Sequence, residues 1–410
     1  MRKVVITGLG VVTPIGNNVS STWEAAKQGV CGIAPITHYD TETHKVKLAA
    51  EVKDFPLEDY FTKAETRKLD DFCIYALAAA KEAFEDAGLN METEDSGRCG
   101  IIFSSGIGGI STIQRETLRG QEKGFDRISP HFIPMAIVNM AAGHLAIKYG
   151  FHGICTSVVT ACASGTNAIG DAFRQIKDGY HDVMMCGGSE ASITELGIGG
   201  FTSMNALHFG DDPNRASIPF DKERSGFVMG EGAGVLILEE YEHAKKRGAH
   251  IYCEVAGYGS TCDANHVTAP LSDGSMAAKC MQKAMEEAKV QPKEVNYINA
   301  HGTSTVLNDK SETLAVKTAF GDAADKLMIS STKSMTGHLL GASGAVEAIL
   351  TTLSVQQDTV LPTINYQVSD EDCDLDIVPN TMRKATVNVA MSNSLGFGGH
   401  NASIVLRKCE

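Results

Sequence analysis

The chain has 410 residues, 43% of them apolar and 21% charged, with 41 glycines but only 11 prolines. Glycine exceeds its ordinary usage of about 7% and no segment is low in complexity, which excludes a disordered or collagen-like chain and predicts two or three domains or one large duplicated core. The net charge of −14 argues against a broad nucleic-acid surface, which needs a net basic face.

Arg2 and Lys3 open the chain before the apolar run Val4–Val12. Thr7, Gly8 and Gly10 interrupt that run and no small-residue cleavage site follows, so it reads as a first buried strand and not as a signal peptide. Over residues 64–87, Leu69, Cys73, Ala76, Ala80, Phe84 and Ala87 recur at steps of three or four, which predicts a helix stopped by Gly88. Apolar runs of strand length follow at 100–106, 182–188 and 234–240, and later at 297–301, 328–330 and 402–406. The longest uncharged stretch, Ile128–Ile147, holds two prolines, two histidines and an asparagine and is no membrane span. Residues 275–289 again have helical spacing, ended by Pro292.

Alternating strands and helices predict an α/β fold. Ala-Ser-Gly precedes an apolar helix twice, in ACASGTNAI at 161–169 and GASGAVEAI at 341–349, with internal spacings that differ by one residue. This hints at duplication, with halves at 1–250 and 251–410 and a seam near Lys245, Lys246, Arg247 and Gly248. The eleven cysteines form no CxxC pair and are odd in number, which predicts reduced thiols, mostly core fillers, in a cytosolic protein and no zinc site.

Several catalytic motifs are missing from the sequence. Gly8-x-Gly10 follows a strand, but Thr13 stands where a dinucleotide fingerprint needs glycine. There is no phosphate-binding loop, no HExxH and no nucleophile elbow. Four segments remain. In Val159-Thr160-Ala161-Cys162-Ala163-Ser164-Gly165 the thiol lies among small residues at the start of an apolar helix, where the helix dipole favours thiolate; the alternative is a buried structural cysteine. Asn299–Thr305 carries His301 from a strand end into a hydroxyl-rich turn, and Lys333–His338 carries a second histidine after a short strand. Each histidine alone reads more readily as structural, whereas two beside an activated thiol suit proton movement and carbonyl hydrogen bonding. The fourth segment, Asn393–Asn401, is glycine-rich; its free N–H groups suit an oxyanion hole, or it is an ordinary turn before the last strand.

Across the whole chain, VVITGLGVVTPIG, SSGIGG, ISPHFIPMAIVNM, TACASGTNAIG, PFDKERSGFVMGEGAG, NAHGTSTVLNDKSE, STKSMTGHLLGASGAVE and NSLGFGGHNA resemble, in order, the elongating β-ketoacyl-[acyl-carrier-protein] synthases, most nearly the synthase II type. The resemblance implies a thiolase-like, five-layered αβαβα duplicated fold and a homodimer. It implies decarboxylative condensation of malonyl-carrier protein with a cysteine-bound acyl chain, giving a 3-oxoacyl-carrier protein two carbons longer, as in fatty acid biosynthesis. Alternatives are synthase I, a polyketide-type ketosynthase, or a non-elongating chain-length partner, which would lack the nucleophile.

By the same resemblance Cys162 is the acyl acceptor, His301 and His338 are the catalytic histidines, and Lys333 stands beside them. Phe397 gates the acyl pocket and shares an oxyanion hole with Cys162, and Gly398 and Gly399 let the backbone approach substrate. Thr303 and Thr305 contact the phosphopantetheine arm, and Asp309, Glu312 and Glu347 support the site. Ile107, Phe132 and Phe201 lie along the acyl pocket, Phe132 in its own subunit's pocket or, across a dimer, in the other's. Lys63, Arg67 and Lys68 on one helical stretch, and Lys123 and Arg127 in a loop before Ser129, dock an acidic acyl carrier protein. No metal or resident cofactor is implied, since phosphopantetheine arrives on the carrier, although one structural monovalent cation fits the family. Nucleic acid and membrane are not expected partners, and the expected location is the cytoplasm. Val306, where the family usually has proline, and His400, where it often has threonine, depart from the pattern.

Overall fold

A computed structural model describes residues 2–409. Ten strands form one sheet: β1 (Val4–Val12), β2 (Cys99–Ser104), β3 (Cys155–Thr156), β4 (Val183–Glu190), β5 (Gly232–Glu240), β6 (Cys253–Cys262), β7 (Tyr297–Asn299), β8 (Met328–Ser330), β9 (Val389–Gly396) and β10 (His400–Arg407). Their spatial order is β3-β2-β4-β5-β1-β6-β10-β9-β7-β8. Read outward from the centre, β1-β5-β4-β2-β3 and β6-β10-β9-β7-β8 repeat one topology. The two sets join where Val4–Ile6 of β1 pairs antiparallel with Cys253–Val255 of β6.

Seven helices matter for the site: α1 (Asp71–Ala87), α2 (Ile110–Lys123), α3 (Met140–Tyr149), α4 (Ser164–Lys177), α5 (Ser275–Ala288), α6 (Val306–Phe320) and α7 (Ser343–Gln357). α4 and α7 each touch strands of both sets and so lie between them, while α1 covers β1 and β5 and α5 covers β6 and β10. The result is five αβαβα layers. The middle core joins Ile169 and Phe173 of α4 to Val346 and Ile349 of α7, and separate cores lie under α1 and α5. On each outer side a glycine admits the covering helix. A Cβ on Gly10 would lie 1.9 Å from the Ala79 carbonyl oxygen, and one on Gly259 would lie 2.0 Å from that of Cys280.

Some local expectations need correction. The helix foreseen at 64–87 begins at Asp71, because the Asp70 carboxylate accepts the Phe72 N–H (3.4 Å) as an N-cap. Lys63–Thr66 is a separate turn, closed by a Thr62–Glu65 capping box. Lys123 ends helix α2 and Arg127 lies in a short 3₁₀ turn, not in a plain loop. The 275–289 helix stops at Ala288, with Lys289 left-handed, and Pro292 begins a 3₁₀ turn beyond it. The two Ala-Ser-Gly segments superpose on those three residues without an offset. Each follows a 3₁₀ turn that contains a left-handed residue, Ala161 (φ +50°) and Leu340 (φ +47°). Strands β3, β6 and β9 were not expected; the first half of Asn393–Asn401 is the end of β9.

Candidate active site

The 3₁₀ turn Ala161–Ala163 delivers Cys162 to the start of α4. Ser164 fastens the turn, accepting the Thr160 N–H (2.8 Å) and donating to the Ala161 carbonyl (2.6 Å). Gly396, at the end of β9, lies against it, and a Cβ there would come within 2.6 Å of the Thr160 oxygen. Cys162 is buried, and burial pushes its thiol up to about 12; Lys333 opposes the shift, Glu190 adds to it, and the backbone N–H groups of Phe397 and of Cys162 itself point to the sulfur and pull it down. The thiolate expected from the helix start is therefore not the resting form, because desolvation outweighs the helix end.

The second half supplies the imidazoles. His301 follows β7, where the Glu312 carboxylate accepts the N–H groups of His301 and Gly302 at 2.8 Å each. His338 is pinned by its own N–H to the Val228 carbonyl (2.7 Å) and by the Gly230 N–H to its carbonyl (2.9 Å). The rings meet edge to face with centroids 5.3 Å apart. His301 Nδ1 lies 3.4 Å from Lys333 Nζ, and His338 Nδ1 lies 2.9 Å from Ser343 Oγ. An ammonium only donates, so His301 Nδ1 accepts and its proton sits on Nε2; the Ser343 hydroxyl can donate or accept, and where it donates His338 has the same tautomer. Burial first and the Lys333 charge second hold both imidazoles well below their ordinary pKa, with His338 lowering His301 further. Both are neutral donors at neutral pH.

Lys333 is 1% exposed and ion-paired with Glu347. Burial raises the Glu347 carboxyl to about 7 against the pull of Lys333. Asp309 accepts the Phe220 N–H (2.9 Å) and lies 3.7 Å from Arg224, holding the loop that leads to Phe227. Phe227 was not singled out from the sequence, although it lies inside the PFDKERSGFVMGEGAG segment. Its ring stands 5.2 Å from His338 and 5.4 Å from Phe201.

A cavity of about 600 Å³ unites these groups. Its lining includes Cys162, His301, His338, Thr303, Thr305, Phe201, Phe397 and Gly399, with Val306 and Leu307 among them. The Thr303 and Thr305 hydroxyls are 2.9 Å apart. The ring of Phe397 lies 6.2 Å from that of Phe201. Gly398 (φ +87°) shapes the turn, and its N–H bonds the Val267 carbonyl at 2.6 Å. Ile107 packs with Cys162, Ile198 and Phe201 in an adjoining apolar cluster. Phe132 is half-buried on a short helix, Phe132–Ala136, outside the cavity of its own chain. Lys63, Arg67, Lys68, Lys123 and Arg127 are all exposed. Arg67 and Lys68 line a groove with Arg115, Arg119 and His131, a basic group not anticipated from spacing because α2 contributes its half. Among the described residues, no group of three or more His, Cys, Asp or Glu could hold a metal ion, and no helix is long and apolar enough to cross a membrane.

A thiol from one half faced by imidazoles from the other, on a duplicated five-layer fold, places the chain among the thiolase-like acyltransferases. Residues 1–244 match the model for the beta-ketoacyl synthase N-terminal domain and residues 252–367 that for the C-terminal domain, and the chain belongs to the beta-ketoacyl synthase family. It is 50% identical over 409 residues to the 3-oxoacyl-[acyl-carrier-protein] synthase 2 of Staphylococcus aureus, covering 100% of this chain and 99% of that one. The Synechocystis protein of the same name is 48% identical over 410 residues, with 100% and 99% covered. A solved type II PKS acyl-carrier protein in complex with its ketosynthase bound to the hexaketide matches with TM-score 0.92 at 37% identity, and a beta-ketoacyl synthase from Burkholderia phymatum with TM-score 0.92 at 34%; each comparison covers 100% of both chains.

Proposed function

We propose that the chain elongates acyl chains by two carbons on an acyl carrier protein, in fatty acid biosynthesis. The observation that carries this reading is the single cavity in which Cys162 and the two neutral imidazoles meet. The Cys162 sulfur attacks the acyl thioester of the phosphopantetheine arm, and its proton leaves with the arm's sulfur. Malonyl-carrier protein then loses CO₂, and the electron pair released forms an enolate on its thioester oxygen. The Nε2–H groups of His301 and His338 stabilise that oxygen, and their neutrality leaves each a donor. The enolate carbon bonds to the acyl carbon, the Cys162 C–S bond breaks, and the sulfur regains a proton from solvent. The N–H groups of Cys162 and Phe397 stabilise the tetrahedral oxyanion in both acyl steps, a role worth about 3–4 kcal/mol per donor. Intact-mass analysis tests the reading. Mixing the protein with acyl- and malonyl-carrier protein should yield 3-oxoacyl-carrier protein two carbons longer; an acyl adduct on Cys162 without elongated product would overturn it.

Ile107 beside Cys162 supports its place along the acyl pocket. Ile107→Phe is expected to shift the product ladder to shorter chains, read by the same mass analysis; an unchanged ladder would remove Ile107 from the pocket wall. The groove formed by Arg67 and Lys68 with Arg115 and Arg119 supports docking of an acidic carrier on a chain that is itself acidic. Reversing charge at Arg67 and Lys68 should raise KM several-fold for carrier-bound substrate and spare small thioester mimics, with equal effects on both arguing against docking there.

The edge strand β3 and the exposed Ile133, Ile137, Ile147 and Val159 support a homodimer, which would give Phe132 an acyl pocket across the interface. The reduced cysteines support a cytoplasmic location, and the net charge of −14 supports the absence of a nucleic-acid partner. No resident cofactor is needed. The unpartnered buried oxygens Glu347 Oε2 and Ser392 Oγ support one structural monovalent cation near Lys333; Ser392 lies opposite Asn299 in the sheet. These oxygens suit a hard cation, which would offset the charge of Glu347 and fix its orientation.

A further inference from the structure

The mechanism leaves one fully buried carboxylate unused. Glu190 ends β4 and has no exposed surface. Its Oε2 accepts the N–H groups of Gly106 (2.8 Å) and Gly341 (3.0 Å). Its Oε1 accepts the Ile107 N–H (3.2 Å) and the hydroxyls of Ser105 (3.1 Å) and Ser192 (2.9 Å). All five donors are neutral. A carboxylate held this way binds its surroundings in fixed directions, and an unpaired buried donor costs about 1–3 kcal/mol.

The duplicated fold explains why a carboxylate stands there. β9, in the second half, ends at Gly396 against the turn that carries Cys162. β4, in the first half, ends at Glu190 against the matching turn Leu340–Ala342. Gly341 is the counterpart of Cys162, and its N–H is the counterpart of the N–H that faces the oxyanion. In this half the Gly341 N–H is taken from within by the Glu190 carboxylate. The packing is close: a Cβ on Gly341 would lie 2.2 Å from the Gly106 nitrogen. The turn so held directly follows His338, and the loop so held carries Ile107.

We infer that Glu190 is a positioning residue for condensation, a clamp that fixes the Gly106–Ile107 wall of the acyl pocket against the turn behind His338. This rests on the condensing function proposed above. Around Cys162 the charged groups are Lys333, which draws its thiol down, and Glu190, which pushes it up, with His301 and His338 neutral.

The test compares Glu190→Gln and Glu190→Asp with the unaltered protein. Acyl-carrier substrates of graded length give kcat and KM separately, and peptide mass mapping follows iodoacetamide alkylation of Cys162 at pH 9. In Glu190→Gln an NH₂ replaces one acceptor and loosens the Ile107 loop. The ratio of kcat/KM between long and short acyl chains should shift about tenfold. Alkylation of Cys162 should quicken, because a charge that pushes its thiol up is removed. Glu190→Asp should keep the slow alkylation and still show the altered length ratio. An unchanged length ratio in Glu190→Gln overturns the clamp, whatever the alkylation rate. If Glu190→Gln does not fold, Ser192→Ala, which removes one donor and keeps the charge, decides by the same ratio: a shift supports the clamp and no shift overturns it. Failure of the unaltered protein to elongate any substrate would instead overturn the condensing function, and the two failures are thus distinct.

Discussion

Cys162→Ala protein mixed with acyl-carrier protein gains no acyl mass, and its elongation falls below detection, while malonyl-carrier protein still loses CO₂. The split follows from the division of the site between the halves. Cys162 and its turn belong to the first half; the Nε2–H donors of His301 and His338 belong to the second and are fixed by Lys333, Ser343 and Glu312 without help from the thiol. Alanine fills less space in a buried position and removes only the sulfur that the Phe397 and Cys162 N–H groups face, so the histidines, held by other partners, keep their places. His338→Ala is the converse. Loss of one donor to the enolate oxygen lowers decarboxylation about 10²–10³-fold, and transfer of the acyl group onto Cys162 persists. The two variants, read by carrier mass and by CO₂ release, must fail at different steps. Loss of both steps in each would show that thiol and imidazoles act as a unit.

The second large effect is on stability. Lys333→Met leaves Glu347 buried without its cation, and breaking a buried pair on one side costs about 3–5 kcal/mol, to be read as a lower denaturant midpoint. The double variant Lys333→Met/Glu347→Leu should regain most of the midpoint and none of the elongation, since the lysine that donates to His301 Nδ1 and fixes its tautomer is still absent. The pH dependence has a definite sign. Glu347 is raised to about 7 from 4.5 in the folded protein, so the folded state binds a proton that the unfolded state releases, and its contribution is lost as pH rises from 4.5 through 7. Without Lys333 that loss steepens, and the variant's midpoint should fall from pH 5 to pH 8 more than that of the unaltered protein. The histidines act oppositely. Their folded pKa values are depressed below 6.5, so the stability they contribute is present above 6.5 and drains away below it.

The sequence made the site more legible than the fold around it. Cys162, His301 and His338 lie in short segments whose residue types have few other uses together, and the cavity joins them. Strands β1 and β5 were visible because their apolar runs are buried on both faces. β9 was hidden because Ser392, Asn393 and Ser394 sit in its buried interior, and β6 because Gly257 and Gly259 replace the side chains a strand usually shows. The start of α1 depended on Asp70, a capping residue inside a helical pattern. The resting state of the thiol was misjudged because helix position is legible and desolvation is not. Glu190 gave no signal: four of its five donors come from two segments distant in the chain, 105–107 and Gly341.

The order in which the chain is made gives the joint between β1 and β6 a further meaning. The first half can lay down its strands, its covering helix and the Cys162 turn while the second half is still being synthesised. The N–H of Phe397 that faces the sulfur, and the Gly396 backbone that packs on the turn, belong to the last fourteen or so residues of the chain. Until these dock, the thiol lacks the backbone that covers it. During synthesis the first half therefore carries a free edge at β1 that invites mispairing until β6 covers it, and the Cys162 turn gains its last cover only when the end of β9 packs on it.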